Sequence, residues 1–180
     1  MKILLVRHGQ TDWNKEKKIM GRCDVSLNEE GLRQAEETSN NLVNERIDLI
    51  ICSPLKRAEE TAKVINKNRN IPIIFDERII ERDFGEFDGM SAIDLDRIDL
   101  WDYYKNEKYQ KAENIQDFFT RIYGFLDDIK EKYADKNILI VSHGGVSIPI
   151  ACYFKEEIPK GSLIYAHLAL KNCEVAIYYS

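Results

Sequence analysis

The chain has 180 residues, of which 44% are hydrophobic and 32% charged, with 26 basic and 31 acidic residues and a net charge of −5. This length predicts one domain, spanning 1–180, with a substantial core. The net negative charge and the absence of a run of lysine and arginine argue against a groove that binds nucleic acid. No stretch approaches the ~20 apolar residues of a membrane span, and the amino-terminal apolar run is too short for a signal peptide. We therefore expect a soluble, cytoplasmic protein without membrane or nucleic-acid partners.

The cysteines are scattered and show no C-x-x-C spacing. They are Cys23, Cys52, Cys152 and Cys173. Three lie in or beside apolar runs, where a free cysteine behaves as a small buried hydrophobe. The pattern indicates neither a disulfide framework nor a zinc site.

The amino-terminal half alternates predicted strands and helices. Strands are expected over 3–6, 47–52 and 73–75, and helices over about 27–44 and 54–65. The first helix carries an apparent capping box, Ser26-x-x-Glu29. For the second, Ser53 fits the N-cap with Pro54 at the first helical position.

The carboxyl-terminal half begins with a polar loop at 81–89 whose glycines suit turns. It continues with a helical segment over 91–111, a helix starting at 114, a strand over 137–141, a short helix over 145–153, and strands over about 163–170 and 173–179. The aromatic residues at 101–109 are interpreted as packing rather than substrate stacking, and His167 as structural. Alternating strands and helices predict an α/β fold with a mostly parallel sheet covered on both faces.

Cationic or potentially cationic side chains follow three of these strands. They are the pair Arg7/His8, then Arg57 and His143. Ligands of open α/β sheets bind at the carboxyl ends of the strands. If the three strands are neighbours, two guanidiniums and two imidazoles converge on one pocket. Guanidinium forks match phosphate oxygens, so a tetrahedral phosphoryl group is the expected ligand.

A set of motifs in this order resembles the histidine phosphatase superfamily, whose members include cofactor-dependent phosphoglycerate mutases and many phosphatases. The motifs are Arg7-His8-Gly9-Gln10-Thr11 with Asn14 and Gly21; Leu27-Asn28-Glu29-Glu30-Gly31; Ser53-Pro54-Leu55-Lys56-Arg57-Ala58 with Thr61; Glu81 with Gly85 and Gly89; and Ser142-His143-Gly144-Gly145. The resemblance implies a three-layer α/β/α sandwich of the phosphoglycerate mutase-like type, with a small helical cap at about 82–113.

The resemblance also implies a catalytic role for five residues. His8 would be the nucleophile that forms a phosphohistidine, which requires a neutral imidazole. Arg7, Arg57 and His143 would bind the phosphoryl oxygens and stabilise the developing charge. Glu81 would protonate the leaving alkoxide and then activate water. From the residues alone, Glu77 and Glu86 remain alternatives to Glu81.

Further substrate contacts are implied at Asn14 and at the backbone N–H of Gly144, while Thr11 and Gly21 would line the mouth of the pocket. Because cationic side chains supply the positive charge, we expect no metal and no cofactor. The expected partner is a small-molecule phosphate ester, and the chain is expected to be a monomer or a homodimer.

Three alternatives to a phosphatase remain. In the mutase pattern the Glu81 loop resembles Glu-Arg-His-Tyr-Gly, whereas this chain has Glu-Arg-Asp-Phe-Gly and lacks a paired-arginine element after it, which favours hydrolysis. A non-catalytic phosphate- or phosphoprotein-binding module would not need the intact His8 and Glu81. A serine hydrolase is disfavoured because the Gly145-to-Pro149 string lacks the last glycine of the nucleophile elbow. Around Glu113 and Arg121 a further family element is altered at Ala112 and Asn114, and we expect only a helix start there.

Overall fold

The computed structural model describes residues 1–92, 100–105, 108–155 and 167–180. The strands are β1 (Lys2–Arg7), β2 (Leu49–Cys52), β3 (Ile73–Phe75), β4 (Asn137–Ser142) and β5 (Val175–Tyr179). The helices are α1 (Asp12–Lys15), α2 (Glu29–Asn41), α3 (Lys56–Asn66), α4 (Ile115–Lys132) and α5 (Gly144–Lys155), with 3₁₀ turns at Glu77–Ile79 and Gly85–Phe87. None of the helices within these ranges has the length and apolar character needed to cross a bilayer.

The strands form one sheet in the order β3-β2-β4-β1-β5. The first four are mutually parallel, and β5 runs antiparallel to β1. The register pairs Arg7 with Ser142 and Cys52 with Val141. Strands β1, β4 and β2 therefore end at the same level, and the residues that follow them emerge together at one edge of the sheet, where α/β proteins bind ligands.

Helices cover both faces of the sheet, which confirms the predicted three-layer arrangement. Because side chains alternate along a strand, Leu5 and Ile140 face one layer and Leu4 and Leu139 the other. The first pair packs in a cluster with the apolar residues of α4 and α5. The second pair packs in a separate cluster with α3 and with Leu42 at the end of α2.

The two predicted serine caps are wrong, whereas Asn114 does cap α4. The cap of α2 is Asn28 rather than Ser26, and its side chain accepts a hydrogen bond from the Gly31 N–H at 2.9 Å. Helix α3 begins at Lys56, and the residue before it makes no side-chain cap. The Ser53 hydroxyl instead lies 2.7 Å from Nε2 of His143, one of the predicted site residues.

Most of the described part of the segment 91–111, although not Ala92, and the described end of the strand at 163–170 differ from prediction. Residues 100–105 and 108–111 form turns and coil rather than helix, and 93–99 and 106–107 lie outside the described residues. Likewise 167–170 is a turn, while 163–166 lies outside, so His167 is exposed on a turn and not within a strand. The aromatic residues do pack as expected, since Trp101 meets Phe84 edge to face at 5.9 Å.

The loop after β1 rests directly on the first turn of α2, and glycine is required on both sides. A Cβ on Gly31 would lie 2.1 Å from the carbonyl oxygen of Gln10, and one on Gly9 would lie 2.4 Å from the carbonyl oxygen of Gly31. Both neighbours are backbone atoms, so they cannot swing aside. This contact fixes the loop that begins with His8.

We expect Gly31→Ala to lower the free energy of unfolding by roughly 1–3 kcal/mol, the usual cost of overpacking. Urea denaturation monitored by circular dichroism would measure it. The matched control is Gly124→Ala on the exposed face of α4, where an added Cβ meets nothing within 4 Å and helix propensity predicts a gain of about 0.5–1 kcal/mol. Equal stability of the Gly31 variant and the parent protein would contradict the packing described here.

Candidate active site

His8 follows β1 directly and is buried. Its backbone N–H donates to the Ser142 carbonyl at 2.9 Å, and its Nδ1 lies 2.8 Å from the carbonyl oxygen of Gly9. A carbonyl only accepts, so Nδ1 carries the hydrogen and Nε2 keeps a lone pair. Burial lowers the pKa of His8 well below its ordinary value, and the positive charges of Arg57 and Arg7 lower it further. The ring is therefore a neutral imidazole with Nε2 available for attack.

Arg57 lies in the first turn of α3 with no exposed surface. Its Nη1 donates to the carbonyl oxygen of Cys23 at 2.7 Å, and its Nη2 donates to that of Gly21 at 2.8 Å. Its Nε donates to His8 Nε2 at 3.3 Å. Burial lowers the pKa of Arg57 to about 10, an effect that the Glu81 carboxylate partly offsets. The guanidinium thus stays charged at neutral pH and lies against the nucleophilic nitrogen.

Arg7 reaches the same region from the end of β1. Its Nη1 donates to the carbonyl oxygen of Leu170 at 2.7 Å, and the Leu170 N–H donates to the Ser147 hydroxyl at 3.0 Å. The Nε of Arg7 is buried and has no hydrogen-bond partner among the described residues. A Cβ on Gly144 would lie 3.0 Å from Arg7 Cζ, so the glycine lets this guanidinium lie against the start of α5. A buried, unpaired N–H donor is costly unless a ligand satisfies it.

His143 follows β4 and is fully buried. Its Nε2 is held by the Ser53 hydroxyl, and its Nδ1 has no partner in the described part of the chain. The ring centre lies 5.3 Å from that of His8. Burial, and then the charge of Arg57, lower the pKa of His143 well below its ordinary value. Nδ1 is the ring atom left for a ligand oxygen.

Glu81 is buried, and two backbone N–H groups orient its carboxyl group. Oε1 accepts from the Arg82 N–H at 2.8 Å, and Oε2 accepts from the Gly145 N–H at 3.0 Å. A Cβ on Gly145 would lie 2.2 Å from Oε1, so the carboxyl group depends on glycine in the first turn of α5. The alternatives Glu77 and Glu86 are both exposed. Of the three carboxylates, Glu81 is the one turned toward the buried cations.

The other residues predicted to contact the substrate, among them Thr11, Gly21 and Asn14, lie beside the pocket and make different contacts there. Thr11 is fully buried, caps α1, and places its hydroxyl 3.1 Å from Met20 Sδ. Gly21 adopts a φ of 45° and presents its carbonyl to Arg57. Asn14 accepts from the Thr11 N–H through Oδ1, and its Nδ2 makes no hydrogen bond to the described residues. Asn14 is therefore the member of this group free to donate to a ligand.

Three residues support the site without having been predicted to. Asn172 donates from Nδ2 to the His8 carbonyl at 3.0 Å and to Asn14 Oδ1 at 3.1 Å. Ser53 holds His143, and Ser147 holds the Leu170 backbone that anchors Arg7. Ser53 and Ser147 stand inside motifs that the sequence analysis noted, whereas nothing local singles out Asn172.

The assembled pocket is built for an anion. Within the ranges that the structure describes, neither guanidinium nor either imidazole is in a salt bridge, although all four groups are close to one another and largely buried. Buried positive charge without a counter-ion is unfavourable. Donors that converge from three strand ends suit a tetrahedral oxyanion, and guanidinium groups pair with such oxygens bidentately.

The chain is similar to known proteins over most of its length. A family model described as the histidine phosphatase superfamily (branch 1) matches residues 3–179. The chain is 37% identical over 142 residues to the uncharacterized phosphatase PhoE of Bacillus subtilis, covering 79% of this chain and 71% of that protein. It is 31% identical over 149 residues to phosphoserine phosphatase 1 of Hydrogenobacter thermophilus, and this match also covers 79% of this chain and 71% of that protein.

A solved structure is similar over nearly the whole chain. The α-ribazole phosphatase of Shigella flexneri superposes with a TM-score of 0.80 at 27% identity, covering 98% of this chain and 89% of that one. The family model spans residues 3–179, a range that contains Arg7, His8, Arg57, Glu81 and His143. The protein belongs to the histidine phosphatase superfamily, branch 1.

Proposed function

We propose that the protein is a cytoplasmic phosphomonoesterase that hydrolyses a small phosphate ester through a phosphohistidine on His8, without a metal ion. The observation that carries this proposal is the state of His8: a neutral ring with Nδ1–H donated to Gly9 and the lone pair of Nε2 beside Arg57. A nucleophile for phosphorus needs that lone pair and cationic groups around it.

In the first half-reaction His8 Nε2 attacks phosphorus, and the bond between phosphorus and the ester oxygen breaks. The Nε of Arg7, the guanidinium of Arg57 and Nδ1 of His143 hold the phosphoryl oxygens, where negative charge is concentrated. The leaving oxygen takes the proton of the Glu81 carboxyl group and departs as an alcohol. Positive charge comes from side chains, so this step requires no metal.

In the second half-reaction water attacks the phosphorus of the phosphohistidine. The Glu81 carboxylate accepts a proton from that water, and the P–N bond breaks to return its electron pair to His8 Nε2. Inorganic phosphate leaves, and Glu81 is again protonated. One carboxyl group thus acts first as an acid and then as a base.

The loop after Glu81 favours water over a second substrate as the acceptor. At the position where the mutase pattern has histidine, Asp83 accepts the Gly85 N–H through Oδ1 at 2.9 Å and lies 3.8 Å from Arg22 through Oδ2. The histidine of the mutase pattern is thus replaced by a carboxylate that forms part of the turn, which supports hydrolysis.

A panel of phosphomonoesters assayed for phosphate release in EDTA tests the proposal. It includes 3-phosphoglycerate, phosphoserine, α-ribazole phosphate and p-nitrophenyl phosphate. Release that survives the chelator is expected, and the rank order of kcat/KM identifies the substrate class. Phosphate exchange between phosphoglycerate isomers without release would support the mutase alternative, and tight phosphate binding without either reaction would support a binding module.

Replacing Glu81 by glutamine should have an effect that depends on the leaving group. Loss of a general acid costs about 10²–10⁴-fold, so we expect kcat/KM for an alkyl phosphate to fall by that factor. The nitrophenolate of p-nitrophenyl phosphate leaves without protonation, so its kcat/KM should change little. Glu86→Gln, on an exposed carboxylate nearby, is the control. Equal loss on both substrates would assign Glu81 some role other than proton donation.

A further inference from the structure

The segment that carries Glu81 is held by a partly buried ion pair that lies behind it. Arg121, in α4, donates from Nε to Glu113 Oε1 at 2.6 Å and from Nη2 to Glu113 Oε2 at 3.0 Å. The side chains are only 18% and 13% exposed. Bidentate geometry orients a guanidinium and limits its motion, and the Arg121 group also lies 4.7 Å above the ring of Phe118.

Two further donors of Arg121 bind the backbone of the segment that carries Glu81. Nη2 donates to the carbonyl oxygen of Glu81 at 3.2 Å, and Nη1 donates to that of Arg78. One guanidinium thus hydrogen-bonds to the main chain at Glu81 and at Arg78, three residues earlier. Neither contact involves the Glu81 carboxyl group, which faces the pocket.

Glu113 makes hydrogen bonds to the residues that follow Glu81 in the same segment. Its backbone N–H donates to the Asp83 carbonyl at 2.9 Å, and its Oε2 accepts from the Asp83 N–H at 3.3 Å. Its own carbonyl accepts from Arg82 Nε at 3.0 Å. The main chain from Arg78 to Asp83 is therefore attached to a single ion pair at three points.

We propose that Arg121, with Glu113 as its counter-ion, is a positioning residue for the acid/base group Glu81. This inference rests on the proposed function, in which Glu81 protonates the leaving group. The Glu81 carboxyl bridges the Arg82 and Gly145 N–H groups, so its place depends on how the Glu81 backbone sits relative to α5. A displacement of about 1 Å at such a group can cost about 10²-fold in rate.

The experiment compares kcat/KM for an alkyl phosphate and for p-nitrophenyl phosphate in Arg121→Lys, Arg121→Gln and Glu113→Gln. We expect the alkyl value to fall roughly 10- to 100-fold and the nitrophenyl value to change much less, as in Glu81→Gln. The control is Arg78→Lys, which alters the partly exposed pair with Asp76 and the exposed pair with Asp128 but leaves the backbone carbonyl groups that Arg121 binds. Circular dichroism and thermal midpoints report folding, and Glu113→Gln, the mildest change, provides the test if the Arg121 variants are unfolded.

Equal loss on both substrates in folded variants would overturn the inference, because a merely loosened structure does not discriminate leaving groups. Full activity on both substrates would overturn it too. Adding the Arg121 change to Glu81→Gln provides a second test, since a residue that acts only through Glu81 should cost little in that background. If Glu81→Gln itself shows no leaving-group dependence, the proposed acid role fails, and that result is separate from any result for Arg121.

Discussion

Replacing His8 by alanine is expected to lower kcat by roughly 10⁴-fold or more, the usual consequence of removing the nucleophile of a covalent mechanism. His8 is the group whose Nε2 lone pair faces the cationic pocket, whereas the Nε2 of His143 is bonded to Ser53 and its Nδ1 is assigned to a phosphoryl oxygen. Steady-state phosphate release from p-nitrophenyl phosphate measures the loss.

Phosphate or vanadate binding should survive in the same variant, because Arg7 and Arg57 remain. Isothermal titration calorimetry would detect it. His167→Ala is the matched control, since this histidine is exposed on a turn and its removal should leave kcat unchanged. Turnover that persists in His8→Ala would remove His8 as the nucleophile.

Replacing Arg57 by methionine should lower kcat/KM by about 10³-fold, the scale found when a preorganised group that stabilises transition-state charge is removed. The change deletes the donors to Gly21 and Cys23 and the guanidinium beside His8 Nε2. Thermal midpoints measured in parallel would identify any loss of folded protein, because two buried carbonyl groups lose their partners.

The Arg57 change also predicts a direction for the pH dependence. After burial, the charge of Arg57 is the strongest influence that lowers the pKa of His8. Without that charge the pKa of His8 rises, and a larger fraction of the ring is protonated and unreactive at mildly acidic pH. The acid limb of the pH profile of kcat/KM should therefore move to higher pH. An unchanged limb, or one that moves to lower pH, would contradict this electrostatic assignment.

The elements that place the site could be predicted from the sequence because they carry local periodic signals. The continuous apolar runs of β1 and β4 predict strands that are buried on both faces, and the spacing of Phe118, Ile122 and Phe125 marks α4. Residues that follow parallel strands meet at one edge. The convergence of Arg7, His8, Arg57 and His143 is therefore a consequence of strand order.

The two helix caps could not be predicted, because local propensity allows several starts. Ser26-x-x-Glu29 and Ser53-Pro54 both match capping patterns. At Ser53 a tertiary contact prevails: the hydroxyl bonds His143, ninety positions away in sequence. At α2 the side chain of Asn28 reaches the Gly31 N–H instead.

The supporting residues could not be predicted either, since their contacts join distant parts of the chain. Asn172 meets His8 across a sequence separation of 164, and Arg121 meets Glu81 across one of 40. Glu113 and Arg121 were expected to do no more than begin a helix. Their importance for the site is visible only when α4 is packed behind the Glu81 segment.

Trapping the covalent intermediate would test the central claim most directly. The protein would be mixed briefly with a good phosphomonoester substrate, quenched in alkali, digested and analysed by mass spectrometry. The mechanism predicts a phosphoryl group on His8 that is lost in acid and absent from His8→Ala. A phosphoryl group on another residue would contradict it. Rapid turnover in which no phosphoenzyme forms at any time would contradict it too.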